Sequence, residues 1–127
     1  MSTQICKISS GGGGGSSIIV LGTGTGSSER CGNFNTASGG YSTALGAGNT
    51  ASGYGSTISG GFNNSASGNY SSTVGGGFSN ISSSRTSTVS GGSINTSSSY
   101  NSVVSGGRTN TASNAYATVG GGICNTA

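Results

Sequence analysis

A two-residue alternation of polar and apolar positions recurs along most of the chain, in short stretches separated by glycine-rich turns. One stretch follows Ser-Thr-Val-x-Gly and the other follows Asn-Thr-Ala-Ser-Gly, and both occur between Asn64 and Ser79. Alternation over about five residues that ends in glycine is typical of a short strand and a tight turn. No helical period of 3.6 residues is present, and glycine and β-branched residues dominate. The pattern therefore predicts an all-β protein.

The two stretches alternate with a regular period. The leading asparagine of one recurs in steps of 14 to 16 residues, and the apolar position of the other recurs between these asparagines. A unit of this length fits one coil of a flattened solenoid with two facing strands. We predict a parallel β-solenoid (β-roll) of about six to seven coils, stacked ~4.7 Å apart into a rod of roughly 30 Å. The asparagines are Asn35, Asn49, Asn64, Asn80, Asn95, Asn110 and Asn125, and the apolar positions are Ala44, Ile58, Val74, Val89, Val104 and Val119.

The alternation also predicts which side chains face the core. The valine row, with the Ser and Gly of the same strand, faces a row of Asn, Ala and Gly from the other strand. The asparagines are expected to form a hydrogen-bonded ladder from coil to coil at the strand starts. The inward glycines of the valine strand are predicted to be Gly46, Gly60, Gly76, Gly91, Gly106 and Gly121. The outward positions form two candidate surface ladders, Thr36, Thr50, Thr96 and Thr111 on one face and Thr57, Thr73, Thr88 and Thr118 on the other.

The chain divides into three predicted regions. Residues 1–16 end in a run of glycines and are expected to be a flexible arm. Residues 17–34 have a blurred motif and are expected to form an atypical first coil or cap, with a buried strand from Ser17 to Leu21. Residues 35–127 form the repeat solenoid. The sequence stops at Ala127 within a recognisable strand, which indicates either a fragment of a longer array or an open end that pairs with another subunit.

Composition distinguishes between two readings of a glycine- and serine-rich chain. The 127 residues include 28 Gly and no Pro, only 4% are charged, and the net charge is +3. Average domains are roughly a quarter charged and nearly half apolar. Such a chain is either disordered or a tightly wound repeat that requires small side chains. The strict period favours the wound repeat, in which the Phe and Tyr residues wrap the turns.

Catalysis and metal binding lack suitable side chains. The sequence has no His and a single acidic residue, Glu29, so it offers neither the commonest general base nor a carboxylate pair. The cysteines Cys6, Cys31 and Cys124 are dispersed without metal-site spacing. They are either free thiols or one intrachain pair with a spare, and an interchain bond is a further alternative. We predict a protein that is not an enzyme and that binds no cofactor and no metal.

Charge and hydropathy limit the partners and the location. Four basic side chains scattered over the chain do not form a nucleic-acid surface. The apolar run from Ile18 to Leu21 is far too short to span a bilayer, and no signal peptide is visible. We expect no nucleic-acid partner and no membrane span. The chain is made in a cytosol, for example for assembly into a virus, or has lost a leader, and we expect a virion or extracellular location.

The repeat resembles two known families. The segment from Asn49 to Gly61, Asn-Thr-Ala-Ser-Gly-Tyr-Gly-Ser-Thr-Ile-Ser-Gly-Gly, resembles the head repeats of trimeric autotransporter adhesins and related repeats in phage and large-virus fibres. This resemblance covers residues 33–127 and implies a left-handed β-roll, usually a parallel homotrimer, that acts as a rigid adhesive or spacer rod. The coils here have 15–16 residues where adhesin heads favour 14. The half-coils also resemble the Asn-x-Val-x-Gly repeats of grass ice-recrystallisation inhibitors, which implies a flat hydroxyl face that binds ice.

These observations lead to one main functional expectation and two alternatives. The thin core of a single rod buries little apolar area, so a lone copy is expected to be marginal in stability. We therefore expect a structural fibre or filament subunit that self-assembles, as a trimer or end to end, within a larger fibre or virion. The alternatives are an ice-binding protein that uses the threonine ladders and an adhesin head that binds a receptor or a glycan.

Overall fold

The structure is a computed structural model that describes residues 19–30 and 34–127. The predicted arm over residues 1–16, with Cys6, lies outside the described residues, and so does Cys31. In the described part of the chain all regular elements are strands of two or three residues, and none is a helix. The predicted all-β class is therefore confirmed.

The strands, numbered in chain order, alternate between two sheets. Sheet A contains β1 (Ile19–Leu21), β2 (Ser28–Arg30), β4 (Thr43–Ala44), β6 (Thr57–Ile58), β8 (Thr73–Val74), β10 (Thr88–Val89), β12 (Val103–Val104) and β14 (Thr118–Val119). Sheet B contains β3 (Thr36–Ala37), β5 (Thr50–Ala51), β7 (Ser65–Ala66), β9 (Ile81–Ser82), β11 (Thr96–Ser97) and β13 (Thr111–Ala112). Neighbouring strands run parallel except β1, which is antiparallel to β2. The predicted parallel β-solenoid with two short strands per coil is confirmed, with about 6 coils.

Each coil stacks on the next with equivalent residues directly opposite one another. In sheet A, Thr57 pairs with Thr73 and Ile58 with Val74. Backbone hydrogen bonds connect the coils along the rod, as where the N–H of Thr57 donates to the Ser72 carbonyl at 3.0 Å. A slip of one residue would turn every threonine inward and every valine outward, so burial of the apolar row specifies the register.

The core between the sheets holds only small side chains, and Ile58 is the largest fully buried one. Where sheet B carries serine instead of alanine, hydroxyl groups pair across the core, with Ser82 Oγ 2.7 Å from Ser87 Oγ and Ser97 Oγ 2.7 Å from Ser102 Oγ. Two facing sheets at this separation leave no space for larger groups. The buried hydrophobic residues are Ala37, Ala44, Ala51, Ile58, Ala66, Val74, Val89, Val104, Ala112 and Val119.

The described chain begins differently from the repeat. Glu29 occupies an inward position of β2, in register with Ala44, and it is buried. Its Oε2 accepts the backbone N–H of Ala37 at 2.9 Å, a donor that in later coils bonds to the neighbouring coil. The sequence predicts a buried strand from Ser17 to Leu21, and here the structure differs. The strand spans Ile19–Leu21, but the Leu21 side chain is 65% exposed because β1 lies at the outer end of sheet A.

Candidate functional surfaces

The recurring asparagines form a continuous ladder along one side of the core. The side-chain Oδ1 of each accepts the backbone N–H of the asparagine one coil later, at 2.8 to 3.0 Å. Asn49, Asn64, Asn80, Asn95 and Asn110 are buried, Asn35 is half-buried and Asn125 is exposed. Each of these side chains replaces a water-mediated turn with a fixed link between two coils.

The amide nitrogens of the ladder tie down the turns that precede them. Asn80 Nδ2 donates to the Gly76 carbonyl of its own coil at 2.8 Å and to the Gly92 carbonyl of the next coil at 3.0 Å. Asn95 and Asn110 repeat both bonds. One buried side chain therefore satisfies three backbone groups, which is the number an amide of this size supports in so narrow a space.

A column of glycines faces the ladder and has no room for a side chain. Gly77 has φ +90°, and a Cβ there would lie 2.1 Å from the Gly92 carbonyl oxygen and 2.7 Å from Asn80 Nδ2. The sequence predicts Gly60 and Gly91 as inward glycines, and this is wrong, because a Cβ at either would meet nothing within 4 Å. The strand alternation ends at the valine, so the tight position falls one residue later. The glycine column is Gly46, Gly61, Gly77, Gly92, Gly107 and Gly122.

The outward threonines lie in two straight rows on opposite faces. On sheet A, Thr43, Thr57, Thr73 and Thr88 pair in register in successive coils, and Val103 and Thr118 continue the row. On sheet B the row runs Thr36, Thr50, Ser65, Ile81, Thr96 and Thr111. Ile81 is 42% exposed, so it interrupts the hydroxyl row of sheet B with an apolar side chain. The row on sheet A is the more regular of the two.

One edge of the flattened coil carries an aromatic stack. Neighbouring ring centroids lie 5.4 Å apart for Tyr41 and Tyr54, 5.8 Å for Tyr54 and Tyr70, and 5.5 Å for Tyr100 and Tyr116. Arg85 fills the gap, with its guanidinium 5.2 Å from the Tyr70 centroid and 5.9 Å from the Tyr100 centroid. We call this set the tyrosine column: Tyr41, Tyr54, Tyr70, Arg85, Tyr100 and Tyr116.

The opposite edge is apolar. Phe62 and Phe78 stack with centroids 5.9 Å apart and an interplanar angle of 11°, and Phe78 pairs with Ser93, Ser93 with Arg108 and Arg108 with Ile123 in the same row. Ile94, in the adjacent row, is also exposed. We call Phe62, Phe78, Ile94 and Ile123 the phenylalanine edge. Its members are between 46% and 70% exposed.

Two of these arrangements were missed by reasoning from the sequence. All five tyrosines of the chain and Arg85 recur in steps of 13 to 16 residues, which is a signal that they share one edge. Likewise, Glu29 precedes Ala44 by one coil length, which places it at an inward position. Both signals were available because a fixed period puts residues one coil apart into one row.

The described residues offer little for catalysis or metal binding. Within residues 19–30 and 34–127, no group of three or more His, Cys, Asp or Glu side chains lies together. Cys124 is a free, exposed thiol. The same part of the chain contains no helix long and apolar enough to cross a membrane.

Comparisons with known proteins add no relative. No family model matches the chain, and no curated protein and no solved structure matches it. The functional argument therefore rests on the geometry of the four surfaces, which are the two threonine rows, the tyrosine column and the phenylalanine edge.

Proposed function

We propose that this protein is a non-catalytic structural subunit, a rigid rod that assembles laterally with further copies into a fibre through its phenylalanine edge. The observation that carries the proposal is the distribution of apolar bulk. The core holds only Ala, Val and one Ile, while all four members of the phenylalanine edge are exposed. Contiguous exposed apolar residues of this kind mark protein–protein contacts.

The phenylalanine edge is better suited to contact between copies than the tyrosine column. Phe and Ile have no polar group that water must solvate, so burying them costs little desolvation, whereas each tyrosine hydroxyl needs a partner. The row repeats with the coil spacing, so a second copy has the same row at the same spacing. Burial of one edge against another adds the apolar area that the narrow core lacks.

The linkage between coils suits a load-bearing rod. Backbone hydrogen bonds and the asparagine bonds join each coil to the next along the rod axis. Stretching the rod requires several of these bonds to break together, as in other parallel strand stacks. A spacer or shaft in a virion or on a cell surface is the role that this construction supports.

The proposal is tested by removing the edge without changing the coil. Serine is present at position 93 of the same row, so the double variant Phe62→Ser/Phe78→Ser retains a residue that the backbone accepts. We expect it to elute as a monomer by size-exclusion chromatography with light scattering, at concentrations where the original protein is a multimer. Loss of two interface aromatics weakens such contacts by roughly 1 kcal/mol each or more, so the association constant should fall at least about tenfold.

The matched control removes two aromatic rings from the other edge. Tyr41→Ser/Tyr54→Ser is expected to keep the multimer, and circular dichroism should give the same β-sheet spectrum for both double variants. The proposal fails if both variants assemble like the original protein, or if both lose assembly to the same extent while remaining folded.

A second candidate function, ice binding, is favoured by the row on sheet A. Thr43, Thr57, Thr73 and Thr88 lie in register at the strand spacing of ~4.8 Å, which forms a flat array of methyl and hydroxyl groups. An assay of ice recrystallisation tests it. Inhibition that Thr73→Tyr abolishes would support ice binding, and growth of large ice crystals with the original protein would contradict it.

A further inference from the structure

We propose that the tyrosine column is a binding site for a polysaccharide that carries isolated carboxylate groups. This inference concerns the edge opposite to the phenylalanine edge and is independent of assembly. The two edges are separated by the width of the coil, because the chain passes from sheet B through the tyrosine turn to sheet A and returns through the phenylalanine turn.

The column has the shape of a linear site. Its members come from six successive coils, so five steps at the strand spacing of ~4.8 Å give a length of about 24 Å. Each row contributes one flat group, either a phenol ring or a guanidinium plane. A straight row of flat groups with a constant pitch matches an extended polymer rather than a compact ligand.

The rings remain available for contact. The tyrosines are between 40% and 70% exposed, with Tyr100 the most buried and Tyr116 the least. Stacking against neighbours in the column fixes their orientation, so little rotamer entropy is lost on binding. The face of an aromatic ring is electron-rich and attracts the C–H groups on the face of a sugar ring, while the phenol hydroxyls bond to sugar hydroxyls.

Arg85 adds a fixed positive charge near the middle of the column. Its guanidinium is held between Tyr70 and Tyr100, and a guanidinium pairs with a carboxylate through two parallel hydrogen bonds. The only acidic side chain of the sequence, Glu29, is buried and bonded to the backbone. The charged side chains that reach the surface of the described chain are therefore basic, which complements an acidic polymer.

The sparse charge of the column favours a polysaccharide over a nucleic acid. A nucleic acid carries a phosphate at every nucleotide, and its binding depends on several basic groups that follow the backbone. The column has one arginine among five tyrosines. This ratio fits a chain in which neutral sugars separate the carboxylates.

Binding to three polymers tests the proposal. The probes are hyaluronan, in which a carboxylate occurs on every second sugar, neutral dextran, and single-stranded oligothymidylate. Affinities are measured by biolayer interferometry at physiological salt with Phe62→Ser/Phe78→Ser as well as the original chain, so that a failure of assembly does not affect the result. We expect hyaluronan to bind at least tenfold more tightly than either other polymer.

Variants locate the site and supply the control. Arg85→Gln should weaken hyaluronan binding about tenfold, which corresponds to the loss of a charge-assisted pair. Arg108→Gln removes the same charge from the opposite edge and should change the affinity less than about twofold. Tyr70→Leu/Tyr100→Leu should also weaken binding although Arg85 is retained. Circular dichroism spectra that match the original protein show that each variant is folded.

Three outcomes would overturn the proposal. Equal losses for Arg85→Gln and Arg108→Gln would show an effect of net charge alone. Tighter binding of oligothymidylate than of hyaluronan would identify the column as a nucleic-acid surface. No measurable binding of hyaluronan by the original protein would show that the column does not bind a polymer of this class.

Discussion

The side-chain Oδ1 of Asn80 accepts the backbone N–H of Asn95, one coil further along the rod, at 2.9 Å. Asn80 in turn donates from its own backbone N–H to Asn64 Oδ1 at 2.9 Å. Both asparagines are fully buried. This relationship repeats through the rod, and it makes each coil depend on a side chain from the coil before it.

Replacement of Asn80 by alanine should therefore destabilise the rod strongly. The change leaves the Asn95 N–H and the Gly76 and Gly92 carbonyls without the partners they now have. Each lost buried bond costs about 1 kcal/mol or more, so we expect a loss of about 3 kcal/mol in the free energy of unfolding, measured by urea titration. Asn125→Ala, at an exposed asparagine, should cost less than about 1 kcal/mol. Equal losses at the two positions would contradict the role of the buried ladder.

The glycine column makes a second prediction with a matched pair. Gly77→Ala places a Cβ 2.1 Å from the Gly92 carbonyl oxygen at φ +90°, and we expect a loss of about 2–3 kcal/mol from strain. Gly91→Ala places a Cβ in open space and should be neutral or stabilise by up to about 1 kcal/mol, since alanine reduces the entropy of the unfolded chain. Thermal unfolding followed by circular dichroism distinguishes them. A Gly77→Ala protein as stable as Gly91→Ala would show that the column is not closely packed.

Buried serines of sheet A differ in their partners. Ser87 Oγ bonds to Ser82 Oγ and to the Ser84 carbonyl, each at 2.7 Å, whereas Ser72 Oγ has no hydrogen-bond partner within the described chain. We expect Ser87→Ala to destabilise by about 1–2 kcal/mol and Ser72→Ala to be neutral or stabilising, because an unpaired buried hydroxyl is unfavourable. Chemical denaturation checks the order. The opposite order would be inconsistent with these pairings.

The core and the face of the rod should respond differently to substitution. Ile58→Val removes a methylene group from the largest buried side chain and should cost about 0.5–1.5 kcal/mol. Ile81→Thr, on the exposed row of sheet B between Ser65 and Thr96, should change stability by less than about 0.5 kcal/mol. Differential scanning calorimetry measures both. A larger loss at Ile81 than at Ile58 would indicate that the face of sheet B is covered by a partner.

The repeat made the architecture predictable from sequence. A constant step between asparagines, as from Asn80 to Asn95, fixes the coil length, and the Thr-Val alternation assigns one side chain to each face. The position of the tight glycine was not predictable from alternation, because the strands are two residues long. The chain then turns through left-handed corners such as Asn63 at φ 59° and Ser79 at φ 50°. The two-residue period does not extend through such corners.

The tyrosine column was harder to predict for a related reason. Its members do not occupy one position of the repeat. Tyr41 sits at the left-handed corner itself, with φ 57°, whereas Tyr54 immediately precedes the corner at Gly55, with φ 65°. The rings meet because a side chain is long enough to reach from either position, which depends on turn geometry that residue spacing alone does not specify. The left-handed winding and the trimer implied by the family resemblance remain predictions.

Lateral assembly is the central claim, and the mass of the original protein in solution tests it most directly. The chain has a mass of 11.9 kDa. Sedimentation equilibrium over a concentration series from the micromolar to the millimolar range should give a whole-number multiple of that mass, with dissociation on dilution. A mass of 11.9 kDa at every concentration, from a protein whose circular dichroism spectrum is that of a folded β-sheet, would contradict the account.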